Sequence, residues 1–159
     1  MSQVSVLFVC LGNICRSPTA HGVFMHQVAK AGLGDLVTID SAGTSDWHIG
    51  KSPDHRTTAC ALNRGYDLSI LSARQVIPAD FKRFDYILAM DNENLAHLQR
   101  MRPNTYAGTL GLFLDFAEDS DYREVPDPYY GGAQGFELVL DLIESAGQGL
   151  LQRIQAQLL

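Results

Sequence analysis

The stretch that most restricts the fold runs from Val4 to Pro18. Val4-Ser5-Val6-Leu7-Phe8-Val9 is short, rich in β-branched residues and almost wholly apolar. A strand with one wet face alternates apolar and polar residues; a run like this fits a central parallel strand covered on both faces. Cys10-Leu11-Gly12-Asn13-Ile14-Cys15-Arg16-Ser17 follows, and Pro18 then opens a helical pattern with Ser17 as the expected N-cap. Ala20, Val23, Phe24, Gln27, Val28 and Ala31 keep helical spacing until Gly32 and Gly34. A parallel strand needs a long crossover to its partner, so strand, tight loop and helix read as the start of a βαβ unit.

The alternation continues. Val37-Thr38-Ile39 reads as a strand, and Ser41 to Gly50 as a loop carrying the single tryptophan, Trp47. Ser52-Pro53-Asp54 repeats the cap-then-proline signal, with Ser52 in the cap position, and opens a helix ending near Gly65. Asp67 to Pro78 has no regular pattern, and Pro78 to Arg83 reads as a short helix. Tyr86 to Met90 is a buried-strand run, Asn92 to Met101 a polar helix, and Thr109 to Phe116 an apolar stretch that holds the last strand, with Gly111 blurring its bounds. Asp119 to Gly132 is turn-rich, and Gln134 to Leu158 forms a helix whose middle Gly147 and Gly149 weaken. Strands alternating with helices predict a doubly wound parallel sheet in three α/β/α layers. Such sheets bind ligands at the carboxyl ends of their strands, where Cys10 sits.

At 159 residues, with 46% hydrophobic and 19% charged residues, residues 1–159 are expected to form a single domain. A net charge of -6 without a Lys/Arg cluster argues against nucleic-acid binding. No run nears the ~20 apolar residues of a membrane helix, and no basic n-region precedes the first strand. Three cysteines do not suggest a disulfide framework, so a reducing cytoplasm is the expected compartment.

The loop from Cys10 to Ser17 carries the chemistry. A nest of backbone N–H groups continued by a helix N-terminus binds anions. Gly12 and Asn13 tolerate the dihedrals such a curl demands. Arg16 supplies a planar fork matched to two phosphate oxygens. Those positive surroundings favour a thiolate at Cys10, and the Ser17 hydroxyl is placed to stabilise it as leaving group. Cys15 has two open roles, packing or a reversible disulfide with Cys10 that shields it from over-oxidation. Cys60, on a predicted helix, reads as core. An aryl oxide leaves poorly unless protonated, so a general acid must stand opposite the thiol. Asp127, in the rigid turn Asp127-Pro128-Tyr129-Tyr130-Gly131-Gly132, is the candidate. Tyr129, Tyr130 and Trp47 are expected to wall a flat ring.

Together these residues resemble the low-molecular-weight protein tyrosine phosphatases. The similarity spans nearly the whole chain, through Val9 to Pro18, Asp40-Ser41-Ala42-Gly43-Thr44, Trp47, Ala73-Arg74-Gln75, Phe84 to Asp91 and Asp127-Pro128-Tyr129. The resemblance implies a four-stranded parallel twisted sheet of flavodoxin-like type, with no metal and no organic cofactor. It implies Cys10 as nucleophile, Arg16 as phosphate clamp and Asp127 as the acid that later activates water. Leu11, Gly12, Asn13, Ile14, Cys15 and Ser17 would surround the phosphate. Asn13, Ser17 and Ser41 would form the network that holds the loop, with Asp91 a structural partner nearby. The implied partners are phosphotyrosine proteins and small aryl phosphates, with phosphate or vanadate as inhibitors and a monomer or weak dimer as the working form. Many members place a histidine two residues before Ala-Arg-Gln; here that position is Leu71, so loop support is expected to be weaker or differently made. Two other readings use the same loop. An arsenate reductase would need further redox cysteines downstream, which the stretch beyond Ala89 lacks. A non-catalytic phosphate-binding or phosphocysteine-carrier module would need neither Asp127 nor an aromatic pocket.

Overall fold

The computed structural model describes residues 3–118, 120–129 and 132–158. Four strands, β1 (Val4–Cys10), β2 (Val37–Gly43), β3 (Tyr86–Ala89) and β4 (Thr109–Leu112), pair in the order β2-β1-β3-β4, all in parallel. β1 is central. It meets β2 from Val4 opposite Val37 to Cys10 opposite Gly43, and β3 from Val6 opposite Tyr86 to Val9 opposite Ala89. Among the described residues there are five α-helices: α1 (Arg16–Lys30), α2 (His55–Asn63), α3 (Asp80–Arg83), α4 (Asn92–Met101) and α5 (Ala133–Leu158). Among the described residues, no helix is long and apolar enough to cross a membrane.

The apolar run of β1, interrupted only by Ser5, is buried on both faces because successive side chains point opposite ways. Val6, Phe8 and Cys10 join the core beneath α1 and α5, whereas Leu7 and Val9 join the core containing Phe81 of α3 and Leu98 of α4. Phe8 lies edge-on to Phe24, centroids 5.8 Å apart, and packs against Phe113 at 4.8 Å. Removing a ring of this kind costs about 3–5 kcal/mol, so β1 is anchored by the residue two before the thiol.

Several boundaries differ from the sequence reading by a residue or two, as at β3, α3 and α5, and four differences bear on the site or the core. Ser17 is not the cap of α1; Cys15 holds that position and Ser17 lies inside the first turn, its hydroxyl turned toward Cys10. Asp54, not Ser52, caps α2, accepting from the N–H groups of Arg56 and Thr57. β2 extends through Ser41 to Gly43, because pairing with β1 overrides the loop-like composition. β4 ends at Leu112, and Phe113–Phe116 form a 3-10 turn that drives Phe113 into the core.

Gly147 and Gly149 are contact points on α5, more than weak spots in it. A Cβ on Gly149 would lie 1.7 Å from the Phe116 carbonyl oxygen, and one on Gly147 would lie 2.1 Å from Gln27 Oε1. The glycines let α5 sit directly on the 3-10 turn and on α1.

Candidate active site

The loop between β1 and α1 closes on the sulfur of Cys10. Asn13 makes the turn in the left-handed region, with φ 56°. That conformation costs an ordinary residue roughly 1–2 kcal/mol, and Asn tolerates it best after glycine. Its backbone N–H donates to Cys10 Sγ (3.3 Å) and its Nδ2 to Ser17 Oγ (2.7 Å); its Oδ1 accepts from the Arg74 N–H (3.1 Å). The Ser17 hydroxyl, already accepting from Asn13, lies 3.0 Å from Cys10 Sγ and 3.4 Å from the Ala42 carbonyl. Either atom of the Cys10–Ser17 contact can be its donor; when the sulfur is a thiolate, the hydroxyl has one proton for two acceptors.

β2 presses on the loop from the side. The Thr44 and Ser45 N–H groups donate to the carbonyls of Cys10 (2.9 Å) and Leu11 (3.0 Å). Gly43 sits so close that a Cβ there would lie 2.7 Å from the Leu11 oxygen.

Arg16 is buried at the floor. Its Nη1 donates to Asp91 Oδ2 (2.7 Å) and to the Val125 carbonyl (3.0 Å), while its Nη2 stands 3.9 Å from Asp127 Oδ2. Burial works against its charge, but the Cys10 sulfur, Asp91 and Asp127 outweigh it and hold the guanidinium above its ordinary pKa. Asp91 also caps α4 through the Asn94 N–H (2.8 Å), so Arg16 is fixed to a helix end.

Asp127 stands at the mouth, its side chain 38% exposed, and Oδ1 accepts from the Tyr129 N–H (3.0 Å). Arg56 straps this turn down. It pairs with Asp54 (3.2 Å), donates to the Tyr129 carbonyl (3.0 Å), and lies over the rings of Tyr129 and Phe136 at 5.3 and 5.1 Å. Asp54 in turn donates its N–H to the Ile14 carbonyl (2.9 Å), so the Asp127 turn is tied to the Cys10 loop.

Between them lies a cleft of about 270 Å³, with Cys10, Gly12 and Arg16 on the floor, Asp127 at the rim, and Trp47 and Tyr129 as walls. Leu11, Ile14 and Cys15 line it too. Trp47 is 69% exposed, a lip and not a core residue. His48 also lines the cleft, against Gly12; the sequence reading passed over it, though its place beside Trp47 was a signal. Tyr130 lies outside the described residues.

Three other expected residues stand apart from the sulfur. Ser41 pairs with His21 Nδ1 (2.9 Å). Leu71 lines a groove with His21 and Ile70. Cys60 is half-buried and donates to Glu137 (3.3 Å); burial, then the carboxylate, push its thiol up to about 11. Cys10 and Cys15 are both free thiols, and burial pushes Cys15 up to about 12.

A thiol and a guanidinium share one anion-cradling loop, and a carboxylate faces them across an aromatic slot. Such a site is built for a phosphate monoester. The family model described as low molecular weight phosphotyrosine protein phosphatase matches residues 5–158. The low molecular weight protein-tyrosine-phosphatase YfkJ of Bacillus subtilis is 45% identical over 155 residues, covering 98% of each chain. The crystal structure of a protein tyrosine phosphatase from Entamoeba histolytica, with Hepes in its active site, superimposes with a TM-score of 0.94 at 40% identity, covering 99% of this chain and 100% of that one. The structure of a Drosophila arginine phosphatase superimposes with a TM-score of 0.88 at 33% identity, covering 94% and 96%. The chain belongs to the low molecular weight phosphotyrosine protein phosphatase family.

Proposed function

We propose that this chain, as one domain, hydrolyses phosphotyrosine through a phosphocysteine. The family is one of phosphoric monoester hydrolases. The observation that carries the reading is the alignment of Cys10, Arg16 and Asp127 around one cleft. Cys10 attacks phosphorus as the aryl oxygen departs, and Asp127 donates a proton to that oxygen. The loop N–H groups and Arg16 hold the three equatorial oxygens. Water then attacks phosphorus and gives its proton to Asp127, the S–P bond breaks, and Ser17 stabilises the thiolate released. Trp47 and Tyr129 stack on the ring. Phosphate and vanadate compete for the loop, the protein works in the cytoplasm, and its form is a monomer or weak dimer.

The test is steady-state turnover of phosphotyrosine, phosphoserine and phosphoarginine peptides, with vanadate as inhibitor. Phosphotyrosine is expected to be turned over fastest; faster hydrolysis of phosphoarginine would overturn the substrate assignment. Cys10→Ser is expected to abolish p-nitrophenyl phosphate turnover. Asp127→Ala should slow it by about 10²–10⁴-fold while leaving phosphate inhibition nearly unchanged.

A further inference from the structure

We propose that His21 is a positioning residue for the thiol, setting the spacing of α1 against β2 so that the Ser17 hydroxyl reaches Cys10. The inference rests on Cys10 being the nucleophile. His21 follows Ser17 by four residues, so the two lie on one face of α1. From that face two bonds cross to consecutive residues of β2. His21 Nδ1 meets Ser41 Oγ at 2.9 Å, and Ser17 Oγ approaches the Ala42 carbonyl at 3.4 Å. The first is short and buried at both ends; His21 is 8% exposed and Ser41 4%. The second is long and, when the sulfur is a thiolate, competes with it for the one hydroxyl proton. The His21 bond therefore fixes the distance at which the Ser17 hydroxyl is offered.

Ser41 carries this fixation round the far side of the loop as well. Its N–H donates to Asp40 Oδ1 (2.8 Å), Asp40 Oδ2 accepts from Arg74 Nε (3.1 Å), and the Arg74 N–H donates to Asn13 Oδ1 (3.1 Å). Asn13 then donates to Ser17. A ring of hydrogen bonds thus runs from His21 through Ser41, Asp40, Arg74 and Asn13 to Ser17, closed by one turn of α1. Leu71, the position expected to weaken the loop, lies in the same groove as His21. The groove is apolar there, and the polar support comes from the helix side.

The experiment reads the thiol directly. His21→Leu removes the hydrogen bond and keeps the bulk; His21→Asn keeps a nitrogen where Nδ1 stands. Alkylation of Cys10 by iodoacetamide at pH 6, followed by mass spectrometry on the Cys10 peptide, reports thiolate stabilisation without requiring turnover. His21→Leu should react about three- to tenfold more slowly, the equivalent of one ordinary hydrogen bond, with His21→Asn close to the parent. A folded His21→Leu that reacts at the parental rate overturns the proposal, and so does failure of His21→Asn to recover the rate, which would assign His21 to packing alone. Thermal unfolding identifies folded variants. If His21→Leu does not fold, Ser41→Ala removes the partner by a smaller change, and the same outcomes decide. A separate failure, turnover by Cys10→Ser, would sink the nucleophile assignment and leave the alkylation result readable.

Discussion

Asn13 illustrates how much the loop asks of single side chains. It takes the left-handed turn, donates to Ser17 and accepts from Arg74. Asn13→Ala loses one buried and one partly buried hydrogen bond and keeps the strained φ, so it should cost about 2–4 kcal/mol by urea unfolding. Asn13→Gly relieves the strain and should be the more stable of the two, although both lose turnover. His21 supplies a pH signature. Burial lowers its pKa below 6.5, against the opposing pull of Asp40. As pH falls from 6.5 toward the lower folded value, the unfolded chain takes up a proton that the folded chain refuses, so stability falls with pH across that window. Urea midpoints between pH 7.5 and 5 should therefore flatten in His21→Asn. At this scale Cys10, Arg16 and Ser17 were readable because the loop packs them into eight consecutive residues. Asp91 and the Val125 carbonyl, which hold Arg16 from 75 and 109 residues away, have no local spacing. Asp91 came from the family resemblance, and Val125 was not anticipated. The His21–Ser41 bond was missed because Ser41 read as loop.

Among the elements, α5 shows where a correct observation led to an incomplete conclusion. Gly147 and Gly149 were visible as poor helix formers, but a sequence does not say what lies across from them. Gly149 faces backbone, which cannot give way; Gly147 faces the end of a glutamine, which can turn. Gly149→Ala is therefore expected to lower stability by more than the about 1–3 kcal/mol usual for overpacking, whereas Gly147→Ala should cost less, despite the helix propensity both gain. Thermal unfolding of the pair checks the ordering. The strands were legible because their apolar runs are bounded by turns, and β2 came out too short because its last residues, Ser41 to Gly43, owe their extended form to pairing with β1 and not to their own propensity.

Across the whole molecule, the two halves of the site meet only through tertiary contacts. The cysteine loop opens the chain and Asp127 lies near its far end, yet Arg56 and Asp54 join them. Arg56→Ala should leave the fold intact, since its side chain is 41% exposed. It should lower kcat for aryl phosphates by about three- to tenfold, with a smaller change in phosphate inhibition, by loosening the turn that aims Asp127. The parallel, doubly wound plan was predictable from alternation alone. The strap was not, because Asp54 read only as part of a helix start and nothing in the local pattern around Arg56 points to the distant Tyr129 carbonyl.

The single proton of Ser17 has a consequence for how the catalytic cycle would be seen. Its two acceptors differ in need: a bare sulfur anion demands it, and a sulfur bonded to phosphorus does not, which frees it for the Ala42 carbonyl. Rotation of one hydroxyl then tracks the redistribution of charge, and the framework has no cause to shift. Free and phosphorylated forms should overlay atom for atom from Cys10 to Ser17 by X-ray diffraction, and the difference between them should emerge where hydrogen itself scatters, in a neutron map of that one serine.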